Sequence, residues 1–493
     1  MKKLSKQHLR EQRLCDRNVL GQHPTRAHKR VSNIRGLSTN SDNQRKFYSL
    51  KSGMATARAG MLVGLGISSF MWVNTLHAAG FAIIDHSASG MGNSFAGGAA
   101  VAEDASTLYF NPAGMTRLRG RQISGAGHLI MPSSEFSNEG STTSAATGSQ
   151  PLLGNEDDGG RNAFVPNFYY MQPINEQWQF GVGITAPFGL EITYDDDWVG
   201  RYHAVKSAVL TVNINPSVAV KINPQLSLGF GVNAQYIDVE LSNVIDLGAV
   251  AGPGSQQQDG FVKFTGDSWD YGYNLGLLYE FSSTSRLGFH YRSSVEHSVK
   301  GDADFTVPAS LAQLTQSGLF TDTGISAGID LPDSISLSYF QDLNSKFAVM
   351  FDWTITKWSK FKELRIKHDN VNQPDGVTTE DWDDSDRISV GLNYKLDNIL
   401  LLRFGLAYDQ TPVPNAERRT PRLPGDNRTW VSFGFNVKPT KDISLDFGYA
   451  HLFLSDTDIN NEFESSQAVL EHNLSGSYEG KVDIISAQLN WKF

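Results

Sequence analysis

The sequence predicts an all-β protein, a 14-stranded antiparallel transmembrane β-barrel with an N-terminal plug inside its lumen. Three observations predict it. Apolar and polar residues alternate with period two in segment after segment, short and long connections between those segments alternate along the chain, and the last amphipathic segment stops on an aromatic residue.

Composition narrows the class before any motif is read. Residues 1–79 carry 14 basic and 3 acidic residues, whereas the rest carries 28 basic and 49 acidic. A body this acidic lacks the basic surface that phosphate contacts need, which argues against a nucleic-acid partner. The single cysteine, Cys15, lies in the basic part, so disulfide scaffolds, zinc–cysteine sites and thiol nucleophiles are excluded from the body.

The first element is an export signal. Met61–Val73 is a 13-residue apolar run, too short to span a bilayer as a helix but suited to the core of a secretory signal, with Arg58 before it and Ala78-Ala79 after it. Cleavage after Ala78 is preferred to cleavage after Ala79. The stretch 1–53 is basic and lacks apolar periodicity, so no packed domain is expected there. Translation from Met54 would leave an ordinary signal over 54–78; a genuine extended leader is the alternative. The domains expected are thus 1–78 as extension and signal peptide, 79–120 as plug and 121–493 as barrel.

The barrel strands follow from alternation. Trp269, Tyr271, Tyr273, Leu275, Leu277, Tyr279 and Phe281 interleave with Asp270, Gly272, Asn274, Gly276 and Glu280; successive strand side chains point to opposite faces, giving one greasy face and one polar or tiny one. Strands are expected near 121–131, 162–172, 178–188, 208–222, 225–241, 268–281 and 286–300. The remaining seven are expected near 332–341, 346–358, 386–396, 399–409, 428–438, 442–453 and 480–493. Many reach the length of about 9–11 residues with which a tilted strand crosses a bilayer. Six connections are turn-like (Pro173–Gln177, Asn223–Pro224, Ser282–Ser285, Asp342–Ser345, Asp397–Asn398 and Pro439–Lys441), and the seven between them are long. A soluble sandwich has no reason to segregate its loops in this way. Backbone groups cannot stay unpaired in lipid, so the sheet must close on itself. Trp269, Trp353, Trp430 and Trp491 near strand ends fit interfacial girdles.

Ahead of the first strand, Gly80–Gly120 is rich in Gly, Ala and Ser with apolar spots at Phe81, Ile83, Phe95 and Phe110, and reads as a compact insert in the lumen. This segment also carries a resemblance. Ala79-Gly80-Phe81, Ser87-Ala88-Ser89-Gly90, Glu103-Asp104-Ala105 and Asn111-Pro112-Ala113 resemble the hatch of the FadL/TodX family, outer-membrane transporters of long-chain fatty acids and hydrophobic hydrocarbons. The likeness continues through Asn274, Leu278-Tyr279-Glu280, Tyr291-Arg292-Ser293, Trp358-Ser359 with Phe361, Tyr408-Asp409, Thr411-Pro412-Val413-Pro414, Arg428 and Trp430.

The resemblance implies passive uptake of long-chain fatty acids through the outer membrane of a Gram-negative bacterium, in four parts. Loops 242–267 and 301–331 form an apolar landing groove, the second holding Phe305, Val307, Leu311, Leu314, Leu319 and Phe320; packing of the loop onto the barrel is the plainer account of these residues. An interior site binds the ligand with Phe81, Phe361 and a basic group, for which Arg365 is chosen because a guanidinium pairs bidentately with carboxylate. The alternative for that region is a rim of charges on lipopolysaccharide phosphate, which suits Lys357, Lys360, Lys362 and Lys367. No clear second basic partner stands near Asn243. Hatch movement then releases the ligand, with Asn111, Pro112 and Ala113 anchoring the hatch to the wall. Exit runs sideways at Ala186, Pro187, Phe188 and Gly189, where proline removes a ladder donor and glycine weakens pairing; a plain turn into the loop is the other reading.

The partners expected are fatty acids or other hydrophobic small molecules, outer-membrane lipid and lipopolysaccharide, and the barrel-assembly machinery through Phe493, on a monomer without cofactor or metal. No catalytic constellation stands out: His290, His297 and His451 are scattered, and no serine-centred motif has a matched partner. The acidic run Asp381–Asp386 lacks the spacing of a calcium loop. Uptake of aromatic or aliphatic hydrocarbons by the same architecture remains open beside the fatty-acid reading. A general porin should show an open lumen, against which the plug argues; a structural or adhesive barrel would favour shorter, more polar loops.

Overall fold

A computed structural model describes residues 80–252 and 254–493. The signal peptide, its cleavage site and the choice between Met1 and Met54 as the start lie outside the described residues.

The described chain is one antiparallel sheet closed on itself. Its first strands are β1 (Gln122–Asn138), β2 (Ala163–Pro173), β3 (Trp178–Thr185), β4 (Gly189–Thr193), β5 (Lys206–Lys221), β6 (Leu226–Asp246) and β7 (Asp259–Ser282). β8 (Ser285–Arg292), β9 (Val295–Thr306), β10 (Thr323–Leu331), β11 (Ser334–Asp342) and β12 (Phe347–Thr356) follow. Then come β13 (Glu363–His368), β14 (Gly376–Thr379), β15 (Ser385–Lys395), β16 (Leu400–Asp409), β17 (Arg428–Val437), β18 (Ile443–Leu454), β19 (Thr457–Glu462) and β20 (Asn473–Lys492). Fourteen staves result, because β3/β4, β8/β9 and β10/β11 are single staves broken once, and β13, β14 and β19 belong to the long connections. Closure is made by β1 on β20, continuous from Gln122↔Lys492 to Asn138↔Gly476.

The six short connections share one device. Asn175, Asn223, Asn344 and Asp397 each accept two backbone N–H groups from the residues two and three further on, and Thr440 does the same with its hydroxyl; at the shortest turn Ser282 Oγ accepts from Thr284 N. A short polar side chain that takes its own turn's donors reverses the strand with no orphaned backbone group.

Several strands run further than the alternation suggests. β6 and β7 stay paired to Asp246↔Asp259, beyond the expected 241 and 268, and β10 starts at Thr323 rather than near 332. Outward residues in these extensions are largely polar, such as Lys263, Asp267 and Asp330. The ladder thus continues where the apolar signal stops. The faces themselves fall as expected: Trp269, Tyr271 and Leu275 are exposed on the outside, while Asn274 is buried inside. Trp430 corrects the girdle assignment. It is 2 % exposed and faces the lumen, since Val431 and Phe433 take the outward positions of β17. Pro216, in the middle of β5, interrupts the ladder to β6 between Ile214↔Ala234 and Ser217↔Gly231, and Asn215 Nδ2 donates to Val232 O at 2.8 Å where a backbone donor is missing.

Residues 80–118 pack on the inward strand faces as short turns of helix, including Ala88–Met91, Gly98–Val101, Thr107–Phe110 and Pro112–Arg117. The tiny inward residues admit this chain: a Cβ at Gly288 would stand 2.0 Å from Ala99 O, and one at Gly405 2.1 Å from the carbonyl carbon of Asn93. Wall side chains close the remaining valences. Arg286 Nε donates to Ala100 O at 2.6 Å and Arg292 Nη2 to Tyr109 O at 3.0 Å, and in the other direction Asn111 Nδ2 of the segment donates to Leu277 O of β7 at 2.9 Å. Arg403 lies between Asp446 of β18 and Glu103, whose Oε1 is 2.9 Å from Nη2. The Arg403→Met variant leaves Asp446 buried without its cation and should cost about 3–5 kcal/mol. The SDS heat-modification transition should move to lower temperature; an unchanged transition would show that this ion pair does not hold the lumen together.

Candidate functional site

A cavity of about 620 Å³ lies in the lumen, bounded by the N-terminal segment on one side and the barrel wall on the other. Its upper end is aromatic. Phe81 packs against Trp358 at 4.9 Å between ring centroids, and against Phe188, Trp382 and Phe361 at 6.0, 6.1 and 6.4 Å. Trp358 and Phe361 enter on the connection after β12, and Trp382 on the approach to β15. Three-dimensional proximity therefore joins Phe81, Phe361 and Phe188, which are far apart in the sequence.

Beside this cluster the wall is discontinuous. β2 pairs with β3 only from Phe168↔Ile184 downward, and the next contact above is the bridge Gly160↔Ile192. Between these rungs no backbone hydrogen bond joins the described residues of β2 to the third stave. Ala186-Pro187-Phe188 breaks the stave there, and the N-terminal segment takes the vacant edge: Ile83 N donates to Pro187 O at 2.9 Å and Gly189 N to Phe81 O at 3.0 Å. The window is framed by Ala163–Pro166 and Ala186–Ile192, all of which line the cavity; Phe164 is 68 % exposed on the outside.

A lower part of the cavity holds charge. Asp85, Asp352, Arg387, Asp409 and Arg428 all line it. Arg387 Nη2 donates to Ser94 O at 2.8 Å and Arg428 Nη2 to Gly80 O at 3.1 Å, while the Arg387 guanidinium sits 5.1 Å from the Trp430 ring centroid. Asp85 hangs from β2, its carbonyl accepting from Asn167 Nδ2 at 2.8 Å. Burial, outweighing the attraction of Arg387 and Arg428, pushes its carboxyl up to about 7. His86 next to it, with its ring tilted against Tyr109, is driven down to about 3 by burial and stays neutral.

Arg365 is not brought to this cavity. On β13 it alternates with Leu364 and Ile366, which pack on the aromatic cluster, so its own side chain turns away. The guanidinium is 38 % exposed and is held by Glu363 (2.6 Å) and Asp375 (3.5 Å). Asn111 bonds Ala99 O as well as Leu277 O, with Pro112 and Ala113 buried after it and Ala113 N donating to Asn111 Oδ1. The long connections hold a second cavity of about 150 Å³, lined in part by Phe264, Phe305, Phe320 and Arg422. Leu311, Leu314 and Phe320 are buried with Leu247, so packing accounts for much of that apolar sequence. The acidic run is tied into ion pairs, Asp384 with Lys357 and Asp381 with Arg418. Arg387 was missed in the sequence although its parity against outward Ile388 and Val390 marks it as a lumen charge.

The chain matches the family of outer membrane protein transport proteins described as OMPP1/FadL/TodX over residues 71–493. The chain belongs to that family. It is 31 % identical to outer membrane protein P1 of Haemophilus influenzae, the match covering 76 % of this chain and 86 % of that protein. It is 28 % identical to the long-chain fatty acid transport protein of Escherichia coli K12, over 84 % and 95 % of the two chains. Among solved structures, a Pseudomonas aeruginosa FadL homologue superposes with a TM-score of 0.78 at 24 % identity, covering 84 % of this chain and 100 % of the other. The Pseudomonas putida toluene transporter TodX gives 0.62 at 15 % identity, over 85 % and 99 %. OMPP1/FadL/TodX proteins are transport proteins of the outer membrane, and the closed 14-stave barrel described above is their fold.

Two outcomes follow from the geometry. Phe81→Ala removes a ring packed on four others, and comparable Phe→Ala losses cost about 3–5 kcal/mol. The N–H groups of Ile83 and Gly189 should then exchange much faster with solvent deuterium while β1–β20 amides keep their protection; unchanged exchange would show that the ring does not hold this edge. Glu380, in the connection before β15, is pushed up to about 8 by burial. A carboxyl that binds its proton more tightly folded than unfolded stabilises this connection most below about 4.5, and that contribution fades as pH rises through 8. Proteolysis of the connection should therefore accelerate between pH 6 and 9 in the wild type and lose that component in Glu380→Gln.

Proposed function

We propose that this protein takes up long-chain fatty acids or other hydrophobic compounds across the outer membrane of a Gram-negative bacterium, by passive diffusion gated by the N-terminal segment and completed by sideways release at the third stave. The single observation that carries the reading is the cavity that runs from the Phe81 cluster to the unpaired edge between β2 and Ala186–Ile192. Names of relatives that specify long-chain fatty acid transport support the substrate.

The energetics favour this route. Each buried methylene is worth about 0.8 kcal/mol, so a long acyl chain gains on the order of 10 kcal/mol before binding costs. Release into water would forfeit that gain; release into the bilayer would keep it. The long connections face outward from the cell in this reading, with Phe264, Phe305 and Phe320 as the first apolar contact. Phe81 and Phe361 then hold the ligand, and Asn111, Pro112 and Ala113 anchor the gate while residues 80–85 move. Cleavage of a signal after Ala78 would place Phe81 third in the mature chain. The apolar outer belt accounts for lipid contact, the exposed basic residues near β13 for lipopolysaccharide, and the exposed Phe493 side chain for recognition by the barrel-assembly machinery, all on a monomer.

Replacing Ala186-Pro187-Phe188 by Val-Thr-Val supplies β-branched residues and the missing N–H, so that the third stave can pair with β2 across the window. Oleate uptake by cells carrying the variant should fall about tenfold or more, the equivalent of about 1.4 kcal/mol on the exit step. Uptake at the wild-type rate, with the variant folded and exported, would mean that the ligand leaves through the floor of the barrel instead.

A further inference from the structure

The charged part of the lumen cavity has donors with nothing to donate to. Arg387 Nε and Nη1 and Arg428 Nε are buried without a hydrogen-bond partner among the described residues, and so is Asp85 Oδ1. A guanidinium N–H shut away from water without an acceptor is costly, so a wall that carries three of them beside a void is built for something that fills it. All three residues line the same cavity. The filling group must accept hydrogen bonds from two arginines while reaching an aspartate that also faces the void.

Charge decides what that group is. Arg387 and Arg428 balance Asp352 and Asp409, and Asp352 is also satisfied by the hydroxyls of Ser338 and Thr354. Asp85 is the charge left over. With a proton on Asp85 the four wall charges cancel, and one further carboxylate brings the cluster to the same net charge as an ionised Asp85 would. A second carboxylate can therefore enter if Asp85 holds a proton, which then bridges the two acids. A neutral head group would leave the arginine N–H groups weakly paired, and a phosphate would bring a second negative charge that Arg387 and Arg428, already matched by Asp352 and Asp409, do not meet.

The rest of the cavity supplies a place for a chain. Ile130, Leu452, Leu454, Val482 and Ile484 form an apolar wall on β1, β18 and β20, next to Trp430 and leading toward β2 and its open edge. Head and tail thus have separate surfaces within one void.

We propose that Arg387 and Arg428, with the carboxyl of Asp85 facing them, form an acid-group site that takes a monocarboxylate amphiphile, its chain lying along Ile130, Leu452, Val482 and Ile484. The site rests on the transport reading above and sharpens it, since it selects an alkanoate over a hydrocarbon or alcohol of equal length. It also makes Asp85 part of the gate: the N-terminal segment brings its own carboxyl to the arginines, and the ligand's carboxylate shares that place only with a proton between them. The groups facing Asp85 are Arg387 on β15, Asp409 on β16 and Arg428 on β17. Its ordinary range is shifted to about 7 by burial, so ligand binding should strengthen as pH falls from 8 to 6, where an alkanoate with a pKa near the ~4.3 of glutamate is still ionised.

The test compares dissociation constants for decanoate and 1-decanol on the purified full chain in non-ionic detergent, with foldedness followed by heat modification. Wild type should prefer decanoate by about tenfold or more at pH 7, the size of a hydrogen bond to a charged group. Arg428→Gln and Arg387→Lys should each bring that ratio toward one; the second keeps the positive charge and guards against a variant that fails to fold. Asp85→Asn should abolish the tightening of decanoate between pH 8 and pH 6. Equal binding of both probes by wild type, or a preference lost in Arg365→Ala and kept in the other variants, would overturn the site and leave the transport reading standing. Failure of both probes to bind would overturn both.

Discussion

Everything in this structure answers to one constraint: a backbone donor or acceptor facing hydrocarbon must be paired, and in a barrel its partner is on the next strand. The β1–β20 ladder discharges this at the seam, and the side-chain-capped turns discharge it at one rim. The third stave is where the rule is hardest to meet. Pro187 has no N–H, the stave breaks, and β2 is left with an unpaired edge. Part of that deficit is met from inside by Phe81–Ile83, which adds a short antiparallel partner to Pro187–Gly189. A hole in the wall and the segment that lines it are thus one feature, and moving the segment changes the pairing of the wall.

The lumen obeys a second form of the same rule. Residues 80–118 form little regular structure, and a chain of short turns exposes many carbonyl groups to a closed interior. Arginines on the wall meet them: Arg286, Arg292, Arg387 and Arg428 each reach backbone carbonyls of this segment. Inward glycines let the two backbones approach closely enough for that to happen. Two of these arginines, at 387 and 428, have N–H groups to spare, and both face the cavity. Structure and the proposed ligand recognition therefore draw on the same two side chains, while the aromatic end is secured by ring packing together with the backbone bonds of Ile83 to Pro187 and Gly189 to Phe81.

Much of this was legible in the sequence. The strand alternation, the six turns and the closing strand all follow from local pattern, because a residue's face in a strand depends only on its parity. Parity also places Asn274 and Arg387 inside. It fails where the pattern changes meaning: in the 259–267 extension of β7 the outward Lys263, Thr265 and Asp267 are polar while the inward Val262 and Phe264 are apolar, so the alternation reverses phase and the continuing ladder does not show in hydropathy. A girdle position was assigned to Trp430 because tryptophan near a strand end often sits at an interface, although its neighbours Val431 and Phe433 already claim the outer face. The loop apolar residues Leu311 and Leu314 read as a landing surface and are largely buried.

By itself, the sequence determined the number of staves, their faces, the side of the barrel on which long connections gather, and the family. Those properties are set by near neighbours and survive without knowing which strand meets which. Only the tertiary structure decided which side chains share a void. Arg365 and Arg387 are both basic residues in the right half of the chain, yet β13 turns the first toward Glu363 and Asp375 while β15 turns the second beneath Phe95 and Trp430. Asp85 and Arg428 meet because the segment ahead of β1 packs against a strand 343 positions later. Spacing along the chain carries no record of such meetings, since barrel closure and the path of an irregular segment across the lumen fix them.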